Sequence, residues 1–501
     1  MRYVELVSER PLLWGLFLVY MVGTSFLAWL GHKKTTGMAS FAVGNGDMAP
    51  WVVGVTLAAS LASTATFVIN PGFVYVHGLS ALMHLGVAAS AGVVCALLVL
   101  SPGFRRVGEK TGAITLPHWV GERYGSPGMR IFFSFASMLS FTFVVLIVGG
   151  LALVMQATLG LSNTEAALLI IAFVFSYIFV GGAYAHAYTN TFQGLLMVVV
   201  AITIVGQGAH LLFEGDFVSR LSVIDPDLAG LSNPNSPLFD GVFSVWVAGF
   251  IIGFAVVCQP HVLTKALYVK SDSAVRRYLV VTIMVSLVFT GLLLVGLYAH
   301  LASLPKELLI DPVTGVFRQD RVMAVWITTQ FSPSLTAVIT VCLLAAGMST
   351  LDGLLVALSS TVAFDLFLGL APKEFLDSKT PEQRSHLGHR ASQLVLLLMG
   401  VVAFIVVLNP PKLLGIFGQI GVYGVVAASV APVLCGIAFS RPPTRPVFAA
   451  SVIALAMHLG LYMADFHANP AVTATWGILA SLAIAVPASL MNRTEDAGIS
   501  Q

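Results

Sequence analysis

Apolar residues come along this chain in runs long enough to cross a bilayer as helices, which takes about 20 residues each. Runs of this kind lie at approximately 11–31, 51–77, 80–101, 128–159, 164–181, 187–212, 241–268, 275–303, 323–369, 391–409, 411–439, 444–465 and 470–490. The ninth is too long for one straight crossing and is predicted to extend beyond the bilayer. Only the polar stretches 102–127, 213–240 and 370–390 have any length, and none could bury a core of its own. The pattern predicts an all-α membrane protein with about 13 transmembrane helices and no soluble module.

Composition agrees. Of 501 residues, 57% are hydrophobic and 10% charged, and the mean hydropathy is +0.91. A soluble enzyme of this size needs far more charge to cover its surface. A net charge of +2 argues against nucleic acid as a partner. Cys95, Cys258, Cys342 and Cys435 all sit in apolar runs without metal-ligand spacing and read as small buried hydrophobes. Residues 11–30 lack a small-residue cleavage pattern and read as a first spanning helix.

The basic residues predict an orientation. With the loop after the first run placed inside, eighteen of the 25 Lys and Arg fall inside, from Lys33 and Lys34 through Arg105, Arg130, Lys265 and Lys373 to Arg493. Outside remain Arg2, Arg10, Arg220, Lys306, Arg318, Arg321 and Lys412. The positive-inside rule then puts the N-terminus outside and the C-terminus in the cytoplasm of a cell inner (plasma) membrane protein.

Two runs carry helix breakers at mid-membrane depth. In the second, Ser63, Thr64 and Thr66 precede Asn70-Pro71-Gly72; in the seventh, Gly253 precedes Gln259-Pro260-His261. Proline removes a backbone donor, and the freed carbonyls must be met by protein, water or ligand. Interrupted helices at matching places in two halves point to an inverted-repeat transporter with a midplane site; ordinary proline kinks are the alternative. In the ninth run, Ser349 and Thr350 could offer hydroxyl oxygens to a hard cation such as sodium, or bond back to their own helix. Asp352 lies within an apolar run, where a carboxylate is costly and a functional candidate by default.

Four stretches together resemble the sodium:solute symporter family, whose members include sodium/pantothenate, sodium/proline and sodium/glucose transporters. They are Ser63 to Leu79; Thr115-Leu116-Pro117-His118-Trp119 with Arg123-Tyr124-Gly125; Gly181 to Gly194; and Ala345 to Asp352, running on to Ser359-Ser360 and Asp365-Leu366. The resemblance implies the inverted five-helix repeat (leucine-transporter-like) fold. An extra helix and first cytoplasmic loop would occupy 1–50, repeat one 51–212, repeat two 241–439, and the C-terminal helices and short tail 440–501. It implies a sodium site built from backbone oxygens of Ala59, Ala62 and Ala346 and hydroxyls of Ser349 and Thr350. Asn190 stands where many members carry an aspartate that serves a second sodium site, which favours one sodium per solute; Asn190 and Asp352 are the coupling candidates.

The expected function is sodium-coupled import of a small organic solute by alternating access. The solute is expected to carry a carboxylate, of pantothenate, monocarboxylate or amino-acid type. Its predicted contacts are Ser63, Thr66, Phe67, Phe254, Gln259, Phe417, Gln419 and Tyr423. His84, His186, His261 and His458 lie in or beside the runs but lack the paired spacing of a bis-histidine haem site. The rival readings are a proton-coupled transporter working through Asp352 and a membrane input unit of a signalling system.

Overall fold

The computed structural model describes residues 2–34, 38–43, 46–310, 315–411 and 413–498, with the side chains of 2–4, 38–39, 180–181, 373 and 493–498 left aside. Lys412 and the side chains of Arg2, Lys373 and Arg493, counted in the orientation argument, therefore lie outside the described residues. Among the described residues, ten helices are long and apolar enough to cross a membrane. A bent pair makes an eleventh crossing.

In chain order the helices are α1 (Pro11–His32), α2 (Pro50–Leu61), α3 (Ala65–Thr111), α4 (Pro127–Leu159), α5 (Asn163–Phe179), α6 (Gly182–Leu212), α7 (Phe243–Val256) and α8 (Pro260–Tyr268). Then follow α9 (Asp272–Leu301), α10 (Pro333–Leu368), α11 (Pro381–Leu408), α12 (Leu414–Ala438), α13 (Thr444–Met463) and α14 (Pro470–Asn492). Helix starts follow local chemistry. Ser126, Ser162, Ser271, Ser332 and Thr380 each accept a first-turn amide, and α2, α4, α8, α10, α11 and α14 begin on proline, whose missing N–H costs nothing at that position.

Three runs are divided in ways the hydropathy pattern did not place. The second run breaks at Ala62-Ser63-Thr64, eight residues before Pro71, where Ala62 leaves the helical region (φ −88, ψ 73). Pro71 itself is carried inside a helix, because the turn before it (Ala65–Ile69) is a π-turn. The wider register makes room where a normal turn would clash with the ring. In the seventh run the break precedes Pro260, as expected, and α7 and α8 meet at 58°. The ninth run is not one extended helix: Phe331 turns extended, and a short helix (Val322–Gln330) precedes α10.

Small residues set the closest helix contacts, as in other membrane bundles. Gly92 of α3 lies against the backbone of Phe250 and Phe254 in α7, and Gly253 faces the Ala89 backbone in return. Gly347 of α10 fits against Thr64 and Leu151. α10 is the most enclosed element, with 94% of its apolar window buried. It therefore passes the breaks as a rigid wall.

Candidate functional site

The break in α2 ends helical bonding before its last turn is satisfied, since the final carbonyls of any helix lack partners. α10 supplies what they face. Ser349 Oγ donates to the carbonyls of Ala59 (3.0 Å) and Ala346 (2.7 Å), and Thr350 Oγ1 lies 3.2 Å from the Ser60 carbonyl and 3.4 Å from that of Ala59. Ala59, Ala346, Ser349 and Thr350 are fully buried, and Ala62 is 4% exposed. Of the predicted oxygens, the Ala59 and Ala346 carbonyls and the Ser349 and Thr350 hydroxyls thus meet in the interior; the Ala62 carbonyl makes none of these contacts. The Ser60 carbonyl belongs to this set and was missed in the sequence, which gives no sign of where in Leu61–Gly72 the helix stops.

Asn190 of α6 closes the third side. Its Nδ2 donates to the Ser349 carbonyl (2.9 Å) and lies 3.3 Å from Ser60 Oγ, while its Oδ1 has no partner. Asp352, two residues past Thr350, lies further along: Tyr177 and Thr189 donate to its two oxygens, the latter at 3.2 Å. Asn190 and Asp352 therefore serve different clusters, one beside the hydroxyl pair and one behind it.

A cavity of about 220 Å³ opens between the two breaks. Five of the eight residues expected at the solute do line it: Ser63, Thr66, Gln259, Gln419 and Tyr423. The three phenylalanines are not in its lining. Phe67 is fully buried against Phe289, with ring centroids 5.2 Å apart, and it is Phe289 that reaches the cavity. Phe254 and Phe417 are partly buried and pack against the apolar core. Sequence position alone could not tell which face of a helix each ring occupies. The cavity adds Asn70, Ser90, Phe143 and Thr290 to the polar and aromatic lining, and no Asp, Glu, Lys or Arg reaches it. Asn70 Oδ1 and Gln259 Oε1 are buried without partners.

The histidines divide by surroundings. His84 Nδ1 donates to the Ser244 carbonyl (2.7 Å), and His458 bridges Thr473 and the Ile420 carbonyl, both at 2.9 Å. These two are packing groups. His261 touches the cavity, and His186 meets Lys265. Lys265, counted above as an inside-loop cation, is 1% exposed: past Pro260 the chain re-enters helix and carries it into the interior.

Comparison with known proteins bears directly on this geometry. The profile of the sodium:solute symporter family matches residues 41–453. A sodium/pantothenate symporter from Haemophilus influenzae is 27% identical over 90% of this chain and 91% of its own length. The high-affinity proline transporter PutP of Bacillus subtilis is 24% identical over 76% and 77%. A Na+-coupled sialic acid symporter in a substrate-bound outward-open state superposes with a TM-score of 0.77 at 16% identity, covering 96% of this chain and 98% of that one. That likeness carries the inverted five-helix repeat fold. With a family profile spanning most of its length, a helical bundle of that fold and hydroxyls facing an unwound helix, the chain belongs to the sodium:solute symporter family, multi-pass membrane transporters that couple sodium to the movement of a small organic solute.

Proposed function

We propose that sodium binds between the carbonyls of Ala59, Ala62 and Ala346 and the hydroxyls of Ser349 and Thr350, with the Ser60 carbonyl as an added neighbour. The observation that carries this reading is the meeting of two α10 hydroxyls with carbonyls freed at the α2 break. The same hydroxyls that now donate to those carbonyls would turn their lone pairs to the ion. Uncharged oxygen donors suit a hard monovalent cation and give a thiolate-seeking metal nothing to hold. Repeat one would span 51–212 and repeat two 241–439, with the N-terminus outside and the C-terminus cytoplasmic.

The solute would occupy the cavity between the breaks. Its lining of amides and hydroxyls without a charged side chain selects for hydrogen-bonding groups. A carboxylate-bearing solute, of the pantothenate or amino-acid kind that the relatives' names mention, would find its positive charge in the bound sodium. Ser60 and Ala62, at the edge of the ion's oxygens, also line the cavity. Solute and sodium would then stabilise each other's binding, and alternating access follows when that joint occupancy closes α2 onto α10.

Replacing both Ser349 and Thr350 with alanine is expected to abolish sodium stimulation of uptake in proteoliposomes, measured with pantothenate and with proline against a choline control. Sodium dependence equal to the unsubstituted protein would defeat the assignment.

A further inference from the structure

Among the described residues, three aspartates lie in the interior: Asp320, Asp352 and Asp365. Two of them face arginine, Asp320 at 3.9 Å from Arg318 and Asp365 at 2.7 Å from Arg130. Asp352 has only the neutral hydroxyls of Tyr177 and Thr189 in contact. A carboxyl held this far from water either keeps its proton or, if ionised, needs a cation near it. The cation within electrostatic reach is Lys265, the one buried ammonium among the described residues.

Lys265 does not touch the carboxylate. Its Nζ lies 2.9 Å from His186 Nε2 and donates to the His261 carbonyl at 3.2 Å. A hydrogen bond between two nitrogens needs one donor and one acceptor, so ammonium and imidazolium cannot coexist there, and the pair carries one positive charge at most. The His186 ring in turn lies against Gly353, the residue after Asp352: a Cβ placed on that glycine would come 3.1 Å from the ring. The side chains facing this group from the neighbouring helices are Tyr20, Tyr177 and His261. Beside them is a cavity of about 10 Å³, enough for a water molecule, lined by Lys265, His186, His261 and Ser360 among others.

We infer that Lys265 is a cation tethered by the chain that fills the role a second, diffusible cation would otherwise fill at Asp352, and so holds the ion stoichiometry at one sodium. The argument needs three parts together: a carboxyl without a contact ion pair, a buried lysine without a carboxylate, and a histidine that bonds that lysine and packs against Gly353, the residue after Asp352. Its position on α8, beyond the break in the seventh run, ties that half-helix to α6 and α10 through charge. The sodium of the hydroxyl pair is then the single mobile cation. The inference rests on that sodium reading only for its baseline, because removing Ser349 and Thr350 leaves Lys265 and Asp352 in place.

The test is equilibrium binding of ²²Na⁺ alone to the purified full-length protein. One sodium per chain is expected for the unsubstituted protein and a twofold rise, to two, for Lys265→Met. The double substitution Lys265→Met with Asp352→Asn is expected to return the count to one. A folded Lys265→Met protein that still binds one sodium would overturn the inference. Should Lys265→Met fail to fold, recovery of a folded protein by the added Asp352→Asn change supports the charge pairing, and equal failure of the double variant overturns it. Loss of all sodium binding in Ser349→Ala/Thr350→Ala, with the Lys265→Met result unchanged, separates the two sites.

Discussion

At the scale of single residues, Asn190 shows how one uncharged amide can join two helices. It ties the Ser349 carbonyl to the Ser60 hydroxyl, and so α10 to the end of α2 beside the proposed sodium site. Asn190→Ala removes that tie and is expected to weaken sodium binding roughly fivefold, since a buried hydrogen bond contributes about 1 kcal/mol. Sodium titration of thermal stability checks it: an unchanged midpoint would show the amide to be dispensable. Asp320, outside the spans, makes a pH-dependent case. Burial pushes its carboxyl up to about 6, against the opposing pull of Arg318. The folded value lies above the unfolded one, so the folded state binds the proton more tightly. The resulting stability is complete below about pH 4 and is lost as pH rises through about 6. The melting temperature in detergent is expected to drop between pH 5 and pH 7, and Asp320→Asn to flatten that dependence.

At the scale of elements, the helical membrane character is legible in the sequence because hydrophobic length is a one-dimensional property, although ten spans, or eleven with the bent pair, pass where about 13 runs were expected, and the start of α8 falls at Pro260 as its residue type suggests. The break in the second run was displaced because proline looked like the cause. A π-turn over Ala65–Ile69 absorbs Pro71, and the helix parts instead at Ala62, which no local residue type marks. Lys265 falls at the end of the seventh run and counts among the inside basic residues in the orientation argument. Only the turn of α8 back into the bundle shows it buried. Which face Phe67 presents is likewise not legible in the sequence, since it lies within the π-turn that shifts the register of the side chains it carries. Packing at this scale is testable at Gly253. A Cβ there would collide with the Ala89 backbone, which no rotamer change can relieve. Gly253→Ala is expected to destabilise the α3–α7 contact by about 1–3 kcal/mol. Thermal melting should show this as a clear drop, whereas the same change at Gly206, which has open space around it, should not.

At the scale of the whole molecule, the end of the bundle rich in basic residues is held by hydrogen bonds between distant elements. Arg130 and Thr115 both bind Asp365 at the end of α10, at 2.7 and 2.5 Å. The short helix Leu116–Tyr124 that follows Thr115 is fastened at its other end. Arg123 donates to the carbonyls of Gly436, Phe439 and Ser440, Tyr124 to that of Pro432, and Thr444 to the Tyr124 carbonyl. That helix is thus a strut between the foot of α10 and the foot of α12, whose distance apart must change if this face of the protein is to open. Glu122 stands exposed on the strut, and three of the four native thiols are buried. A fluorophore on a single cysteine at that position would sit on the hinge pin itself, reporting each stroke of the cycle as a change in its rotational freedom.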